Sequence, residues 1–473
     1  MPEEDCETGK KILRSKIMKF SNLSIEELIN PEGFECECGG HHVADIKYIV
    51  VSDGAINSVP DILKKMECKY PMVVCGPNGY RAAGEKVISL LKANDIHYKL
   101  HVIPCKENTD LEPTEFAVGS VTLNLDHECD MVLAIGSGVI NDTCRVVSKT
   151  AKIPYIIVGT APSMDGYASA SSSMVVNNVK LSLAEQVPTA IVCDTDIMAK
   201  APMHMLHAGF GDMLAKCTAI CMWRIAALVK GETYCPEVAA LVRSSLKKVV
   251  DEANGLVSRD ERAVKSVIEG LLLSGIGMAF IGNSRPASDL DHYFSHCWEM
   301  MALAKGEKSD LHGVQVGIGT LLTLKIYEKL KTITPSVERV ESAIENFNKN
   351  EWEENIRRVF TDTADEIISM EDRLGKNSPE GRRKRAEKII DNWDSIVSII
   401  NDELHDYSNI EKLMLELGMP TKPEDIGLTN RDAIDAFVCS RDVRDKYLIS
   451  SLIWDIGEME DMAKWLEKEL ENK

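Results

Sequence analysis

Met131-Val-Leu-Ala-Ile-Gly-Ser-Gly-Val-Ile-Asn-Asp142 reads as a buried strand, a tight glycine turn and the opening of a helix. Glycines at 136 and 138 let the backbone approach a pyrophosphate, and the helix N-terminus offers free N–H groups to the anion. Gly136, Ser137 and Gly138 are therefore candidate coenzyme contacts, and Asn141 and Asp142 suit the first helical turn. Working outward, five further short runs share the apolar, β-branched character: Tyr48–Ser52, Met72–Cys75, Tyr98–Ile103, Tyr155–Val158 and Ala190–Cys193. Such runs, separated by helical segments near 60–65 and 84–91, predict a mainly parallel sheet covered on both faces. The expected fold is α/β, with a doubly wound, Rossmann-like dinucleotide-binding domain over residues 1–195.

Past residue 200 the strand-like runs fade and helical periods take over, as in Glu237–Glu252 and Ala263–Ala279. An all-helical metal- and substrate-binding domain over 196–473 is expected. Glu338–Trp393 reads as a charged helical excursion poor in core residues, and Arg444–Leu470 as an amphipathic tail. A net charge of −20 argues against sequence-independent nucleic-acid binding, which needs a basic face. The longest apolar stretch, Gly270–Gly282, is shorter than the ~18 residues of a membrane span. The first residues lack a basic and apolar leader, and the fourteen cysteines are scattered through apolar patterns. A reducing compartment, the cytoplasm, is the expectation.

Three more constellations carry chemistry. Gly159-Thr-Ala-Pro-Ser-Met-Asp-Gly-Tyr-Ala-Ser169 places hydroxyls, a carboxylate and glycines after a predicted strand, where α/β proteins bind ligands, and Ser171–Ser173 extend the polar loop. Gly209-Phe-Gly-Asp212 is read as the start of an apolar helix, which Asp212 could simply cap. Asp291-His292-Tyr-Phe-Ser-His296 sets two histidines on one helical face, and His312 follows. Histidines with a carboxylate suit Zn²⁺, Ni²⁺ or Fe²⁺, and three protein ligands leave one position open. Cys36-Glu-Cys38-Gly-Gly-His41-His42 looks like half a zinc site, but no second cysteine pair stands at finger spacing, so a hairpin turn is expected. His204 and His207 are placed before the Asp212 helix and read as structural.

In order, Gly136–Asp142, Ile153–Ser169, Ala208–Asp212, Ser284–Glu299 and His312-Gly313 resemble the sn-glycerol-1-phosphate dehydrogenase family of the iron-containing alcohol dehydrogenase and dehydroquinate synthase-like superfamily. Thr160-Ala-Pro-Ser-Met-Asp-Gly-Tyr-Ala-Ser169 is the most specific piece, and weaker similarity reaches Trp454-Asp-Ile-Gly457. The resemblance implies a dehydroquinate synthase-like fold and a divalent metal on Asp212, His292 and His312. It places His296 beside the metal rather than on it, and Asp165 near substrate and nicotinamide. Thr160, Ser163 and Ser169 fall on the coenzyme-facing loop. Lys216 stands where some iron-dependent relatives carry a fourth ligand, which favours Zn²⁺ or Ni²⁺ over Fe²⁺. Where relatives often carry an acidic ribose-binding residue this chain has Gly76-Pro77-Asn78, so Asn78 is the candidate contact and NAD(H) and NADP(H) both stay open. The implied reaction is reduction of dihydroxyacetone phosphate to sn-glycerol 1-phosphate, with Asp165 or His296 relaying the proton. Lys180, Lys216 and Arg285 are unranked candidates for the phosphate. Neither nucleic acid nor membrane is expected as a partner, and a homo-oligomer, dimer or larger, is. The alternatives are a glycerol or polyol dehydrogenase, a dehydroquinate synthase-type cyclase, or a non-catalytic relative.

Overall fold

The structure, a computed structural model, describes residues 19–105, 110–176, 179–404 and 407–471. Among these the strands are β1 (Phe34–Glu35), β2 (His41–His42), β3 (Tyr48–Ser52), β4 (Pro71–Cys75), β5 (Lys99–Val102), β6 (Met131–Gly136), β7 (Tyr155–Gly159), β8 (Ser171–Val176), β9 (Val179–Ala184) and β10 (Ala190–Asp194). The six predicted runs form one parallel sheet, in the order β3-β10-β7-β6-β4-β5. Both faces are buried because side chains alternate across it. Val73, Leu133, Ile156 and Val192 pack into one core, while Val74, Ala134, Ile157 and Ile191 face a larger core shared with the helical half. Strand order reverses between β4 and β6, so the ligand crevice of such a sheet lies at the carboxyl ends of those two strands. There the turn after β4 presses on β6: a Cβ on Gly79 would lie 2.6 Å from the Ile135 carbonyl oxygen.

Several expectations need correction. Ser171–Ser173 are not loop; they begin β8, which pairs with β9 in an antiparallel hairpin. Residues 20–42 do not join the sheet but pack on the helical half, where Phe20 and Phe34 meet Phe280. The last strand ends at Asp194, and the described elements after it are all helical. The helix Glu261–Ile281 is longer than its apolar stretch suggested; by length and composition it could cross a membrane, but 67% of that window is buried inside the protein. Residues 338–393 are not poor in core, because Ile356, Phe360, Ile367 and Ile389 enter the main core and Arg382 stacks on the Trp454 ring at 3.8 Å. The amphipathic tail breaks at Gly457 (φ +83°) into Ile449–Asp455 and Met459–Glu471.

In the helical half, Met203–Leu214 and His312–Leu330 meet backbone to backbone. A Cβ on Gly211 would stand 2.2 Å from the Gly313 carbonyl oxygen, and one on Gly313 would stand 2.0 Å from that of Ala208. Gly119, mid-helix in Glu115–Asn124, has open space instead. Gly211→Ala should therefore destabilise the protein by roughly 3 kcal/mol or more through overpacking against rigid backbone. Gly119→Ala should be neutral or stabilising by roughly 0.5–1 kcal/mol. Denaturant unfolding of both variants checks the contrast, and equal effects would contradict it.

Candidate active site

The glycine crossing sets the positions of two expected metal ligands. Asp212 lies in the last turn of Met203–Leu214, one residue after Gly211, so it does not cap a helix start. His204 and His207 belong to that same helix rather than preceding it; His204 pairs with Asp310 and His207 is buried. His312 opens the partner helix, one residue before Gly313. The third helix, Leu290–Lys305, is drawn in by another glycine, since a Cβ on Gly319 would lie 2.5 Å from the Asp291 carbonyl oxygen. It brings His292, whose ring centroid is 5.4 Å from that of His312.

Each donor is held by a further residue. His292 Nδ1 contacts Asp291 Oδ1 at 2.5 Å, which leaves Nε2 as the ligating atom, 3.4 Å from Asp212 Oδ1. Asp291 accepts in turn from the Thr218 hydroxyl at 2.6 Å. His312 Nδ1 is 2.9 Å from the Ser295 hydroxyl, which leaves its Nε2 for a ligand. The Lys216 ammonium, fully buried, donates to Asp212 Oδ1 at 3.0 Å and pairs with Asp165 Oδ2 at 2.8 Å. Burial alone would raise the Asp212 carboxyl, but Lys216 and the nearby histidines hold it well below the usual carboxylate range. Burial would likewise lower His292, yet Asp212 and Asp291 raise it. Two carboxylates, Asp165 and Asp212, thus share one ammonium while Asp291 faces His292, and a divalent cation would balance the remaining negative charge. The donor set and this charge fit a divalent ion.

Among the described residues at this site, the donors that all lie within 4.8 Å of one another are His296, Glu299 and His312 rather than the expected Asp212, His292 and His312. Glu299 is already neutralised by Lys180 at 2.5 Å, so this set has no excess charge for an ion. Burial and then Arg444 push His296 well below the ordinary histidine pKa, leaving a neutral ring stacked on His312 at 5.5 Å. His296 Nδ1 stands 3.6 Å from Glu299 Oε2, beyond hydrogen-bond reach.

Most of the expected coenzyme residues lie at the sheet's crevice. Gly136 ends β6, Ser137 caps the following helix without a side-chain bond, and Gly138 begins it. Asn78 follows β4 on the neighbouring strand and accepts from Arg81. The backbone N–H of Thr160 donates to Gly136 O at 3.0 Å, tying the second loop to the first, and Ser163 lies part-exposed in that loop. Asp142 and Ser169 face inward instead. Asp142 accepts from Arg145 at 3.1 Å and from the Ser173 N–H at 3.0 Å, and the Ser169 hydroxyl donates to Gly166 O and Ser171 O. Arg145, which the sequence reading missed, is the hub of this loop and bonds Tyr155, Gly166, Tyr167 and Ser171. Asp165 joins the loop to the metal residues: its N–H donates to Asp212 Oδ2 at 2.9 Å, and its side chain accepts from Ser274 at 2.9 Å.

A cavity of about 680 Å³ opens beside His296, lined among others by Lys180, Met300, Arg373 and Arg444. It ranks the phosphate candidates. Lys216 is enclosed by Asp165 and Asp212, and Arg285 is clamped by Glu232 at 2.5 Å and Tyr447 O at 2.7 Å. Only Lys180 of the expected three, itself paired with Glu299, faces the cavity, where Arg373 and Arg444 join it beside Asp365, Glu366 and Asp445.

Comparison with known sequences defines the class as an NAD(P)-dependent alcohol dehydrogenase of a metal-dependent family. A sequence profile described as iron-containing alcohol dehydrogenase matches residues 50–202. The chain is 33% identical to the glycerol-1-phosphate dehydrogenase [NAD(P)+] of Geobacillus thermodenitrificans, over 75% of this chain and 86% of that one. It is also 33% identical to the enzyme of that name from Pyrococcus furiosus, over 58% of this chain and 76% of the relative. Among solved structures, glycerol dehydrogenase from Schizosaccharomyces pombe superposes with a TM-score of 0.57 at 14% identity, covering 90% of this chain and 92% of that one, which shows a shared fold. The chain belongs to the glycerol-1-phosphate dehydrogenase family.

Because Asp291 orients His292 and strengthens it as a donor, Asp291→Asn should weaken divalent-metal affinity by roughly 10–100-fold. Chelator competition on the folded variant measures this, and unchanged affinity would remove Asp291 from the account.

Proposed function

We propose that the protein interconverts dihydroxyacetone phosphate and sn-glycerol 1-phosphate, using NADH or NADPH. The observation that carries this reading is the cavity that holds Lys180, Arg373 and Arg444 together with Asp365, Glu366 and Asp445, and that begins at His296, the end of the row of imidazoles His292, His312 and His296. A substrate carbonyl beside Asp212 and His292 would then place its phosphate among these side chains. Membership of a family whose relatives carry the glycerol-1-phosphate dehydrogenase name supports the same substrate.

Asp212, His292 and His312 would hold the ion, which when bound supplies Lewis-acid polarisation of the carbonyl oxygen, while the nicotinamide supplies hydride. The chain's own residues do the rest. Gly136, Ser137 and Gly138 cradle the pyrophosphate at the helix N-terminus. Asp165 positions the coenzyme loop against Asp212, and Lys216 pairs with both carboxylates in a buried site. Lys216 at the fourth position supports Zn²⁺ or Ni²⁺ over Fe²⁺, because an ammonium held by two carboxylates cannot ligate. His296, neutral and lining the cavity, can relay a proton to the nascent alcohol oxygen, one ring nitrogen giving up its proton as the other takes one from water. Asn78 with Arg81 leaves no carboxylate to repel a 2′-phosphate, which supports use of both coenzymes. The thirteen free cysteines of the described residues support a cytoplasmic setting.

Removing the Arg444 charge should raise KM for dihydroxyacetone phosphate by roughly 10–100-fold, the loss of one charge-assisted bond. Turnover of unphosphorylated dihydroxyacetone should be little changed. Steady-state kinetics of Arg444→Met on the two substrates separates the readings. A polyol dehydrogenase would prefer the unphosphorylated substrate in the wild type, and its KM values would not diverge in the variant.

A further inference from the structure

The N-terminal hairpin takes no part in this reaction, yet it carries a second set of donors. Between β1 and β2 the chain turns tightly: the Cys36 N–H bonds Gly40 O at 3.1 Å, the Gly39 N–H bonds Cys36 O at 3.0 Å, and Gly39 adopts φ +81°. The turn gathers Cys36, Cys38 and His42. Cys235, which precedes the helix Pro236–Asp251, reaches them from the helical half. Sequence spacing could not supply this fourth donor, since Cys235 stands 193 positions from His42.

The distances are those of a closed tetrahedral site. Cys36 Sγ lies 3.6 Å from Cys235 Sγ, and His42 Nε2 lies 3.2 Å from Cys38 Sγ and 3.4 Å from Cys235 Sγ. All four donor atoms fall within 4.8 Å of one another. A tetrahedron with Zn–S bonds of about 2.3 Å and a Zn–N bond of about 2.05 Å has S···S edges of about 3.8 Å and S···N edges of about 3.6 Å. His42 Nδ1 is 2.9 Å from the Phe280 carbonyl oxygen, so Nδ1 carries the proton and Nε2 turns its lone pair to the thiols. The ring is buried, stacked on Phe280 and edge-on to Phe20, and Cys235 is fully buried.

We propose that Cys36, Cys38, His42 and Cys235 bind a structural zinc ion, separate from the active site, that staples the N-terminal hairpin to the helical half. Three thiols and an imidazole close the coordination shell and leave no position for substrate. A Cys36–Cys235 disulfide would need the sulfurs at about 2.05 Å and would leave Cys38 and His42 without a function. The staple reaches the helix Glu261–Ile281 through Phe280, and the same helix carries Ser274, which holds Asp165.

The test uses the full chain, purified reduced and without chelator. Elemental analysis should find one more equivalent of zinc per chain in the wild type than in Cys38→Ser. Loaded with Co²⁺, the wild type and Asp212→Asn should both show a thiolate-to-cobalt charge-transfer band in the near ultraviolet. The active site has no thiolate and cannot produce this band. Because the spectrum is read on the wild type and on Asp212→Asn, it decides even if Cys38→Ser fails to fold. Absence of the band, or non-reducing peptide mapping that finds Cys36 joined to Cys235, would overturn the proposal.

Discussion

The site depends on one steric constraint, the backbone contact between Met203–Leu214 and His312–Leu330 at Gly211 and Gly313. Any side chain at either position would push the helices apart, and the residues next in sequence, Asp212 and His312, are the ones that must converge. Gly319 repeats the device against Asp291 and so brings in His292. Gly209 extends it to the coenzyme loop, since a Cβ there would stand 1.8 Å from the Pro162 carbonyl oxygen. Close helix packing thus brings together three separate segments and the expected donors they carry.

Burying those donors creates an electrostatic problem that the surrounding residues resolve. Asp212 is almost inaccessible to water and would be costly to ionise alone. Lys216 offsets part of that cost, shared with Asp165, and the remaining excess of negative charge suits a divalent ion. The same bonds couple the two halves of the molecule. The Asp165 N–H on Asp212, and Arg145 on the loop carbonyls, hold the coenzyme loop in register with the metal residues. Lys180, paired with Glu299, lines the neighbouring cavity with Arg373 and Arg444.

Much of this was legible in the sequence, and what was not has physical reasons. The six strands were readable because a sheet covered on both faces needs continuous apolar runs, as in Val73-Val74 and Ile156-Ile157. The β8–β9 hairpin was hidden because Ser171–Ser173 have the composition of a loop. Gly209 and Gly211 suggested a helix boundary, whereas tertiary packing keeps them inside a helix. In residues 338–393 the charged faces of short helices masked the buried Phe360 and Ile367. For the site, local motifs and the family resemblance pointed to Asp212, His292 and His312, which the fold carries on three helices that pack together. Residues that act through space stayed invisible: Arg145 as a loop hub, Arg444 at the cavity and Cys235 beside the hairpin have no local signature. Lys216 and Arg285 illustrate the same limit, since only their neighbours reveal that each is already occupied.

The central claim is that Asp212, His292 and His312 hold the ion on which ketone reduction depends, with His296 outside the donor set. The most direct test measures tightly bound divalent metal and dihydroxyacetone phosphate reduction on the same preparations of His292→Ala and His296→Ala. His292→Ala should lose the active-site equivalent and its turnover together, while His296→Ala should keep the metal and lose rate alone. Full turnover by His292→Ala without that equivalent, or loss of the ion in His296→Ala, would contradict the account.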